Sequence, residues 1–200
     1  MRLAVFGGSF DPPHNGHLAL CLYARELLRV DRLVISASNN PLKGTPQAAD
    51  RDRVKMAELL AETINRTGVF AEVSSWEANR GHPVYTIDLM EYLEEIYSTS
   101  DLTLLIGEDN FLNFRQWKSW EELIRRYSII VFGRKGDEGA SLDTAGDEYL
   151  FDKRFGHIDL NLPLSSTELR NRIASGDDCS AEIPSSIWQY IVEESLYRDA

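Results

Sequence analysis

The chain has few cysteines and no excess of basic residues, and both shortages exclude classes of protein. Its two cysteines, Cys21 and Cys179, lie far apart, so neither a disulfide framework nor a cysteine metal site is expected. Lys and Arg number 21 against 32 Asp and Glu, and the formal net charge is −11. An extended nucleic-acid surface needs a basic face, so we expect no nucleic-acid partner. A small anion can still bind wherever a few donors converge.

Long apolar stretches are also missing from the sequence. No run approaches the roughly 20 residues that span a bilayer, so we expect no membrane partner. The N-terminus begins directly with a strand-like run, without the apolar region and cleavage site of a signal peptide. These absences predict a cytoplasmic protein. The 200 residues, 43% of them hydrophobic, suffice for one sizeable core, so we expect a single domain over residues 1–200.

Short apolar runs alternate along the chain with longer segments of helical spacing. Residues such as Leu20, Ala24 and Leu28 recur at the i, i+4, i+8 spacing of a helix. Strands that alternate with helices predict right-handed βαβ units, and hence an α/β, Rossmann-like, doubly wound and mainly parallel sheet. A small C-terminal helical part is expected after Leu164 and after Pro184, with the proline at the first helical position. The strand-like runs are residues 3–6, 32–37, 69–74, 102–106 and 128–132.

The stretch GGSFDPPHNGHL, residues 7–18, carries more chemistry than a turn between a strand and a helix requires. It follows the first apolar run, and ligands bind beyond the carboxyl ends of such parallel strands. Its two leading glycines have no Cβ, so the backbone there can approach a ligand closely. His14 and His17 can both donate to a phosphate, beside the N–H groups of a helix expected to begin at Gly16.

A P-loop, a metal site and an ordinary turn are the alternative interpretations of this stretch. A P-loop ends in Gly-Lys-Ser/Thr, and that ending is absent. A metal site needs a third His, Cys or carboxylate at a defined spacing, and Asp11 alone is near in sequence, so we expect no metal site in the protein. One histidine would fit an ordinary turn, but the H-x-G-H pair behind a glycine turn favours phosphate binding.

The stretch LSSTELR, Leu164 to Arg170, is a second candidate for phosphate binding. Ser165, Ser166 and Thr167 can cap the start of a helix and offer hydroxyl and N–H groups to phosphate oxygens. Arg170 supplies a planar, permanently charged fork that suits a phosphate. A simple capping run followed by a solvated arginine is the alternative interpretation.

Both stretches resemble the signatures of the nucleotidyltransferase superfamily. GGSFDPPHNGH is similar to its pattern G-x-[ST]-F-D-x-x-H-x-G-H, and LSSTELR is similar to its I-S-S-T-x-x-R. The resemblance implies an adenylyl transfer with Mg²⁺ that accompanies ATP, and catalytic roles for His14, His17 and Arg170. The residues that it implies for ATP binding are Gly7, Gly8, Ser9, Phe10, Ser165, Ser166 and Thr167.

Over essentially the whole chain, the sequence resembles the bacterial nicotinate-nucleotide adenylyltransferases. The stretches that carry this resemblance are NPLK, VYT, IGEDNFLNFRQW, VFGRKG and SIWQYIVEESLY. The resemblance implies that the AMP moiety of ATP is transferred to nicotinate mononucleotide, a step of NAD biosynthesis that releases pyrophosphate. The residues that it implies for pyridine-nucleotide binding are Lys43, Thr86, Asp109, Trp117 and Arg134.

Four of these five residues also have a chemistry of their own that fits a ligand. Trp117 offers a flat face on which a pyridine ring can stack, with a core tryptophan as the alternative. Asp109 is expected at the end of a strand, where it can accept hydrogen bonds from a sugar or cap a helix. Lys43 and Arg134 are loop cations that can clamp phosphates or simply be solvated. Residues 133–148, rich in glycine and charge, are expected to form a surface loop.

Two residues depart from the family pattern, and other functions remain open. Leu42 stands where many members have a histidine, and Lys118 where an aromatic residue commonly follows the tryptophan. A sibling transferase acting on another phosphate, such as pantetheine phosphate, is one alternative, and a non-catalytic nucleotide sensor is another. A class I tRNA synthetase fragment shares the H-x-G-H pattern, but the chain lacks a K-M-S-K-S loop and a basic RNA-binding region. The oligomeric state is left open, a homo-oligomer included.

Overall fold

The computed structural model describes residues 1–40, 42, 44–133, 155–160 and 163–198. Within these ranges six parallel strands form one sheet in the order β3-β2-β1-β4-β5-β6. This order reverses between β1 and β4, as in the doubly wound Rossmann fold. The predicted α/β architecture is therefore confirmed. The strands are β1 Leu3–Gly8, β2 Arg32–Ala37, β3 Ala71–Ser74, β4 Leu102–Gly107, β5 Ser128–Gly133 and β6 Phe155–Asp159.

Helices connect the strands from β1 to β5 and cover both faces of the sheet. None of the described helices is long and apolar enough to cross a membrane. Short 3₁₀ turns occupy Asn65–Thr67, Ala78–Arg80 and Phe114–Gln116. The helices are α1 Asn15–Leu27, α2 Asp50–Ile64, α3 Thr86–Tyr97, α4 Glu108–Leu112, α5 Trp120–Arg126, α6 Ser166–Ala174 and α7 Ser185–Glu193.

The core consists of two apolar layers, one on each face of the sheet. Along β1, Leu3 and Val5 pack in the layer that includes α3 and α5, whereas Ala4 and Phe6 pack in the layer that includes α1, α2, α6 and α7. Because both faces of a parallel sheet are covered, its strands are continuous apolar runs. That is why the five predicted strands are found.

Three details differ from the prediction. The third strand begins at Ala71 rather than at residue 69, because Val69 is 90% exposed and lies outside the sheet. Strand β6 was not predicted; it pairs along one side with β5, so its short sequence FGHID needs less apolar character. Pro184 is the N-cap of α7, not its first helical residue, because its ψ of 136° is extended.

Candidate active site

A cavity of about 1080 Å³ opens at the carboxyl ends of β1 and β4. The strand order reverses between these two strands, and ligands bind at such a point in doubly wound sheets. The walls come from the turn after β1, from residues 44–46, from the start of α4 and from residues 163–170. The cavity is larger than most pockets that hold one small molecule, which enclose about 300–1,000 Å³.

Most of the predicted site residues line this cavity. Thr86 is the first residue of α3, half-buried, and does not belong to the cavity wall. Lys43 and Arg134 lie outside the described residues, as does the predicted surface loop beyond Gly133. The predicted residues that line the cavity are Gly7, Gly8, Ser9, Phe10, His14, His17, Asp109, Trp117, Ser165, Ser166, Thr167 and Arg170.

The two adjacent glycines of the β1 turn have different surroundings. A Cβ at Gly7 would meet no atom within 4 Å, so the missing side chain leaves space on the cavity side. A Cβ at Gly8 would lie 2.8 Å from the ring of Phe10, which is itself buried. Close approach to a ligand therefore fits Gly7, whereas packing of Phe10 explains the glycine at position 8.

His14 and His17 form the N-terminal cap of α1. The Nδ1 of His14 accepts a hydrogen bond from the Gly16 amide at 3.1 Å, and the Nδ1 of His17 accepts one from the His14 amide at 3.1 Å. The two rings lie against each other with their centroids 3.9 Å apart and their planes tilted by 36°. Because both Nδ1 atoms accept, each neutral ring carries its proton on Nε2, and that N–H is the donor it can offer to a ligand.

Burial keeps His14 uncharged. The residue is 8% exposed, and loss of hydration lowers the pKa of His14 from 6.5 to about 4. At neutral pH the ring therefore remains a neutral donor. The Phe10 ring packs edge-on against His17, with 5.4 Å between the ring centroids, so an aromatic side chain supports the histidine pair.

We expect His14 to lower the stability of the protein as the pH falls from 6.5 to about 4. In this window the unfolded chain takes up a proton on His14 and the folded chain does not, so the free energy of unfolding decreases. His14→Asn removes the titration but keeps the cap, because the Asn Oδ1 can accept the Gly16 N–H. Denaturant unfolding at pH 7 and pH 5 should show a smaller pH effect in the variant, by about 2 kcal/mol.

His82 provides the control for this experiment, because it is exposed and far in sequence from the site. The pH effect on stability should be smaller in His14→Asn than in His82→Asn. If His14→Asn also retains the full dependence, His14 is not held neutral in the folded protein.

Arg170 faces the cavity with its guanidinium already fixed. Its Nη1 donates to the carbonyl oxygen of Asp11 at 2.6 Å and lies 3.6 Å from the Asp11 carboxylate. Its Nη2 donates to the hydroxyl of Thr167 at 3.2 Å. The side chain is 22% exposed, so a charged fork is held at the cavity wall, where it can contact phosphate oxygens.

The predicted capping role of the serines before Arg170 is only partly correct. Ser165 is the N-cap residue of α6 by position, but its side chain makes no capping hydrogen bond. The Ser166 hydroxyl donates to the carbonyl oxygen of Pro12 at 2.9 Å instead and ties α6 to the β1 turn. With no side-chain cap, the first-turn N–H groups of α6 keep their capacity to bind an anion.

Asp109 and Trp117 line the cavity from the β4 side. Asp109 is exposed and is the second residue of α4, not the end of a strand, because β4 already ends at Gly107. Trp117 is half-buried: its ring centroid lies 5.1 Å from that of Phe114, and the residue also lines the cavity. The side chain of Trp117 therefore packs against the buried Phe114 and also offers a surface to the cavity. Both interpretations, a core residue and a stacking surface, are compatible with this position.

The two departures from the family pattern have different surroundings. Leu42 is 52% exposed and lines the cavity. The ammonium of Lys118 pairs with the Asp88 carboxylate at 3.1 Å and lies 4.7 Å from the ring centroid of Tyr85. The ammonium group of Lys118 is therefore paired with residues at the start of α3. Lys118 does not line the cavity.

The sequence interpretation missed two residues that hold the site together. The Asp11 carboxylate is buried and accepts hydrogen bonds from the amides of Gln47 and Ala48 at 2.9 and 3.0 Å. It anchors the segment whose residues 44–46 form part of the cavity wall. Asp11 belongs to the first motif, where the sequence suggests only a metal ligand.

Arg53 is the second missed residue and is fully buried on α2. Its Nη1 donates to the carbonyl oxygens of Ser9 and Ser38 at 2.9 and 2.8 Å, and its Nη2 to the Asp50 carboxylate at 2.6 Å. One guanidinium thus joins the turns that follow β1 and β2. An arginine in a helical pattern gives no sign of this, because such residues are usually on the solvated face.

The described residues contain no group of three or more His, Cys, Asp or Glu side chains that could hold a metal ion. The donors gathered at the cavity are instead imidazole N–H groups, a guanidinium and a helix N-terminus. At the switch point of a doubly wound sheet, this set defines a nucleotide-binding α/β protein of the Rossmann-like class.

Comparisons with known proteins identify the family within that class. The model of the cytidylyltransferase-like family matches residues 5–172. A protein of Chlorobium phaeobacteroides named "Probable nicotinate-nucleotide adenylyltransferase" is 89% identical over 99% of this chain and 100% of its own length. One of the same name from Prosthecochloris aestuarii is 52% identical over 100% of this chain and 99% of its own length. The chain belongs to the cytidylyltransferase-like family and, within it, to the nicotinate-nucleotide adenylyltransferases.

A solved structure supports the same fold. The Plasmodium falciparum nicotinic acid mononucleotide adenylyltransferase complexed with NaAD superposes with a TM-score of 0.76. The match covers 98% of this chain and 97% of the other at 18% sequence identity, so it is evidence for the fold alone.

Proposed function

We propose that this protein transfers the adenylyl group of ATP to nicotinate mononucleotide. A phosphate oxygen of the mononucleotide attacks the α-phosphorus of ATP, and the bond from that phosphorus to the oxygen bridging to the β-phosphorus breaks. The products are nicotinate adenine dinucleotide and pyrophosphate. The relatives named for this activity support the proposal, since they align along nearly the whole chain.

One observation carries the proposal: a single cavity is lined by both phosphate-binding motifs and by Trp117. The turn after β1 and the start of α6 are far apart in sequence, yet the Ser166 hydroxyl and the Pro12 carbonyl join them. ATP in contact with both motifs would have its α-phosphorus near His14 and His17. A pyridine ring on Trp117 would belong to the second substrate in the same cavity.

The side chains act by position and charge, with no side-chain nucleophile. The Nε2–H groups of His14 and His17 donate to the α-phosphoryl oxygens as negative charge builds there. Arg170 and the first turn of α6 hold the β- and γ-phosphates, which become the leaving pyrophosphate. His14 is well suited to this role because it stays neutral and already has its Nδ1 fixed by the Gly16 amide.

Mg²⁺ enters with ATP as part of the substrate. The carboxylate of Asp11 is occupied by two backbone amides, and the described residues form no cluster of three metal ligands. Phosphate oxygens and water are therefore the ligands we propose for Mg²⁺, as is usual for this ion.

Trp117→Ala should weaken binding of nicotinate mononucleotide by roughly 5- to 150-fold. Removal of a stacking aromatic costs about 1–3 kcal/mol, and 1.4 kcal/mol corresponds to a tenfold change. ATP binding should change far less, because the two phosphate-binding motifs are intact. Trp117→Phe keeps a flat face and should recover much of the loss. Calorimetric titration of each substrate separately measures both effects.

A thermal melt of the same variant tests the competing structural role. Truncation of a buried Trp costs about 3–5 kcal/mol of stability. If the melting temperature collapses, or if the affinities for ATP and the mononucleotide fall together, Trp117 acts through the packing it shares with Phe114. The assignment of the pyridine ring to this side of the cavity would then be wrong.

The acceptor is tested by pyrophosphate release with ATP and a panel of phosphate acceptors. We expect nicotinate mononucleotide to give the highest kcat/KM. Pantetheine phosphate as the best acceptor would favour the sibling transferase. ATP binding without pyrophosphate release for any acceptor would favour a non-catalytic sensor.

A further inference from the structure

The C-terminal end of the chain reaches the candidate active site through one tyrosine. Tyr197 is 5% exposed and belongs to the apolar layer that includes α1 and α2. Its hydroxyl donates a hydrogen bond of 2.9 Å to the Oδ1 atom of Asp11, a residue of the cavity wall 186 positions earlier. Burial and the adjacent Asp11 carboxylate raise the pKa of Tyr197, so the phenol remains a proton donor.

The carboxylate of Asp11 also lies close to Arg170, so Asp11 links the tyrosine to the arginine. Its Oδ1 atom accepts from Tyr197 and from the Ala48 amide, while its Oδ2 atom accepts from the Gln47 amide and lies 3.6 Å from Arg170 Nη1. Within the part of the chain that the structure describes, Tyr197 and Arg170 are the two side chains that present donors to this carboxylate.

The hydrogen bond from Tyr197 and the ion pair with Arg170 compete for the negative charge of the Asp11 carboxylate. Each hydrogen bond that Asp11 accepts partly neutralises it and weakens its hold on the guanidinium of Arg170. Without the tyrosine hydroxyl, the pair between Asp11 and Arg170 becomes stronger, since the carboxylate is only 4% exposed and water cannot replace the lost donor. The guanidinium is then less available to a phosphate.

We propose that Tyr197 is a positioning residue for ATP, which acts through Asp11 to keep Arg170 available to the triphosphate. The inference rests on the proposed function, because it deepens the role given there to Arg170. It extends the site to the segment after α7, which contributes no residue to the cavity wall itself in the described part of the chain.

The same C-terminal segment supplies a matched control. Tyr190 on α7 donates to the Asp52 carboxylate at 2.9 Å, so it also joins the C-terminal part to an aspartate. Asp52 is a residue of α2, and neither it nor Tyr190 lines the cavity. Tyr190→Phe and Tyr197→Phe therefore each remove one hydroxyl from one tyrosine–aspartate bond, of which only the second leads to Arg170.

The test measures ATP binding by calorimetry and the KM of both substrates in the intact chain. Tyr197→Phe should weaken ATP binding and raise the KM for ATP about tenfold, which is the scale of losing one hydrogen bond to a charged group. The KM for nicotinate mononucleotide and the kcat at saturating ATP should stay near wild type. Tyr190→Phe should leave all of these values unchanged.

A double-mutant cycle with Asp11→Asn shows whether Tyr197 acts through Asp11. We expect the double variant to bind ATP no worse than Asp11→Asn alone, because the carboxylate that transmits the effect is already neutral. Additive effects, or equal changes for ATP and the mononucleotide, would overturn the inference. Calorimetry of ATP needs no acceptor, so this outcome is separate from a failure of the wild type to form the dinucleotide, which would overturn the proposed function instead.

Discussion

His17→Ala is expected to lower kcat by about 10²–10³-fold while ATP affinity stays nearly unchanged. The Nε2–H of His17 is assigned to the α-phosphoryl oxygens, where charge increases in the transition state and not in bound ATP. A donor of this kind contributes to the rate and little to ground-state binding. Single-turnover kinetics at saturating ATP, together with an ATP titration, measure the two quantities.

The cap that His17 forms must be separated from its role as a donor. His17→Gln is the matched control, because a glutamine three residues after the N-cap can accept the His14 amide as the imidazole does. It should keep the wild-type stability and still lose most of the activity. Near-full kcat in a folded His17→Ala protein would contradict the assignment. Activity restored by added Zn²⁺ would favour the metal interpretation of the histidines.

Arg53→Met is expected to lower the free energy of unfolding by about 2–5 kcal/mol. The substitution keeps most of the side-chain volume but leaves the carbonyl oxygens of Ser9 and Ser38 without their shared donor. A buried polar group that loses its partner costs about 1–3 kcal/mol. The Nε of Arg53 has no hydrogen-bond partner among the described residues, so relief of its desolvation offsets part of the loss. Urea unfolding measures the difference.

Arg51 offers the control on the same helix. Its side chain is 82% exposed and pairs with Asp52 at 3.3 Å. Arg51→Met should change stability by less than about 1 kcal/mol, as is usual for a surface ion pair. If both variants are equally stable, the guanidinium of Arg53 does not hold the turns after β1 and β2.

The fold could be predicted from the sequence where burial alone determines it. Apolar runs such as 32–37 and 102–106 give strands within a residue of their observed bounds, because both faces of the sheet are covered. Strand β6 was missed because it lacks such a run. The family and the Rossmann-like class are confirmed, whereas the single domain, the cytoplasmic location and the lack of a nucleic-acid partner stay predictions.

The candidate site could be predicted where one short motif contains both the residue and its neighbours. The H-x-G-H and S-S-T-x-x-R stretches were recognised as phosphate-binding candidates from their own residues, and both line the cavity. Contacts such as those of Tyr197 with Asp11 join residues 186 positions apart, and only the folded chain reveals them. The histidines show an intermediate case: their spacing was evident, but the cap that fixes their tautomers required backbone coordinates.

In the proposed reaction, the cavity brings ATP and the mononucleotide phosphate together for one direct displacement at the α-phosphorus. The stereochemical course with ATP that carries a chiral α-thiophosphate tests this most directly. We expect the dinucleotide to form with inverted configuration at that phosphorus, because His14 and His17 act only as hydrogen-bond donors. Retention of configuration would contradict it, because retention requires two displacements and an adenylyl group covalently held by the protein.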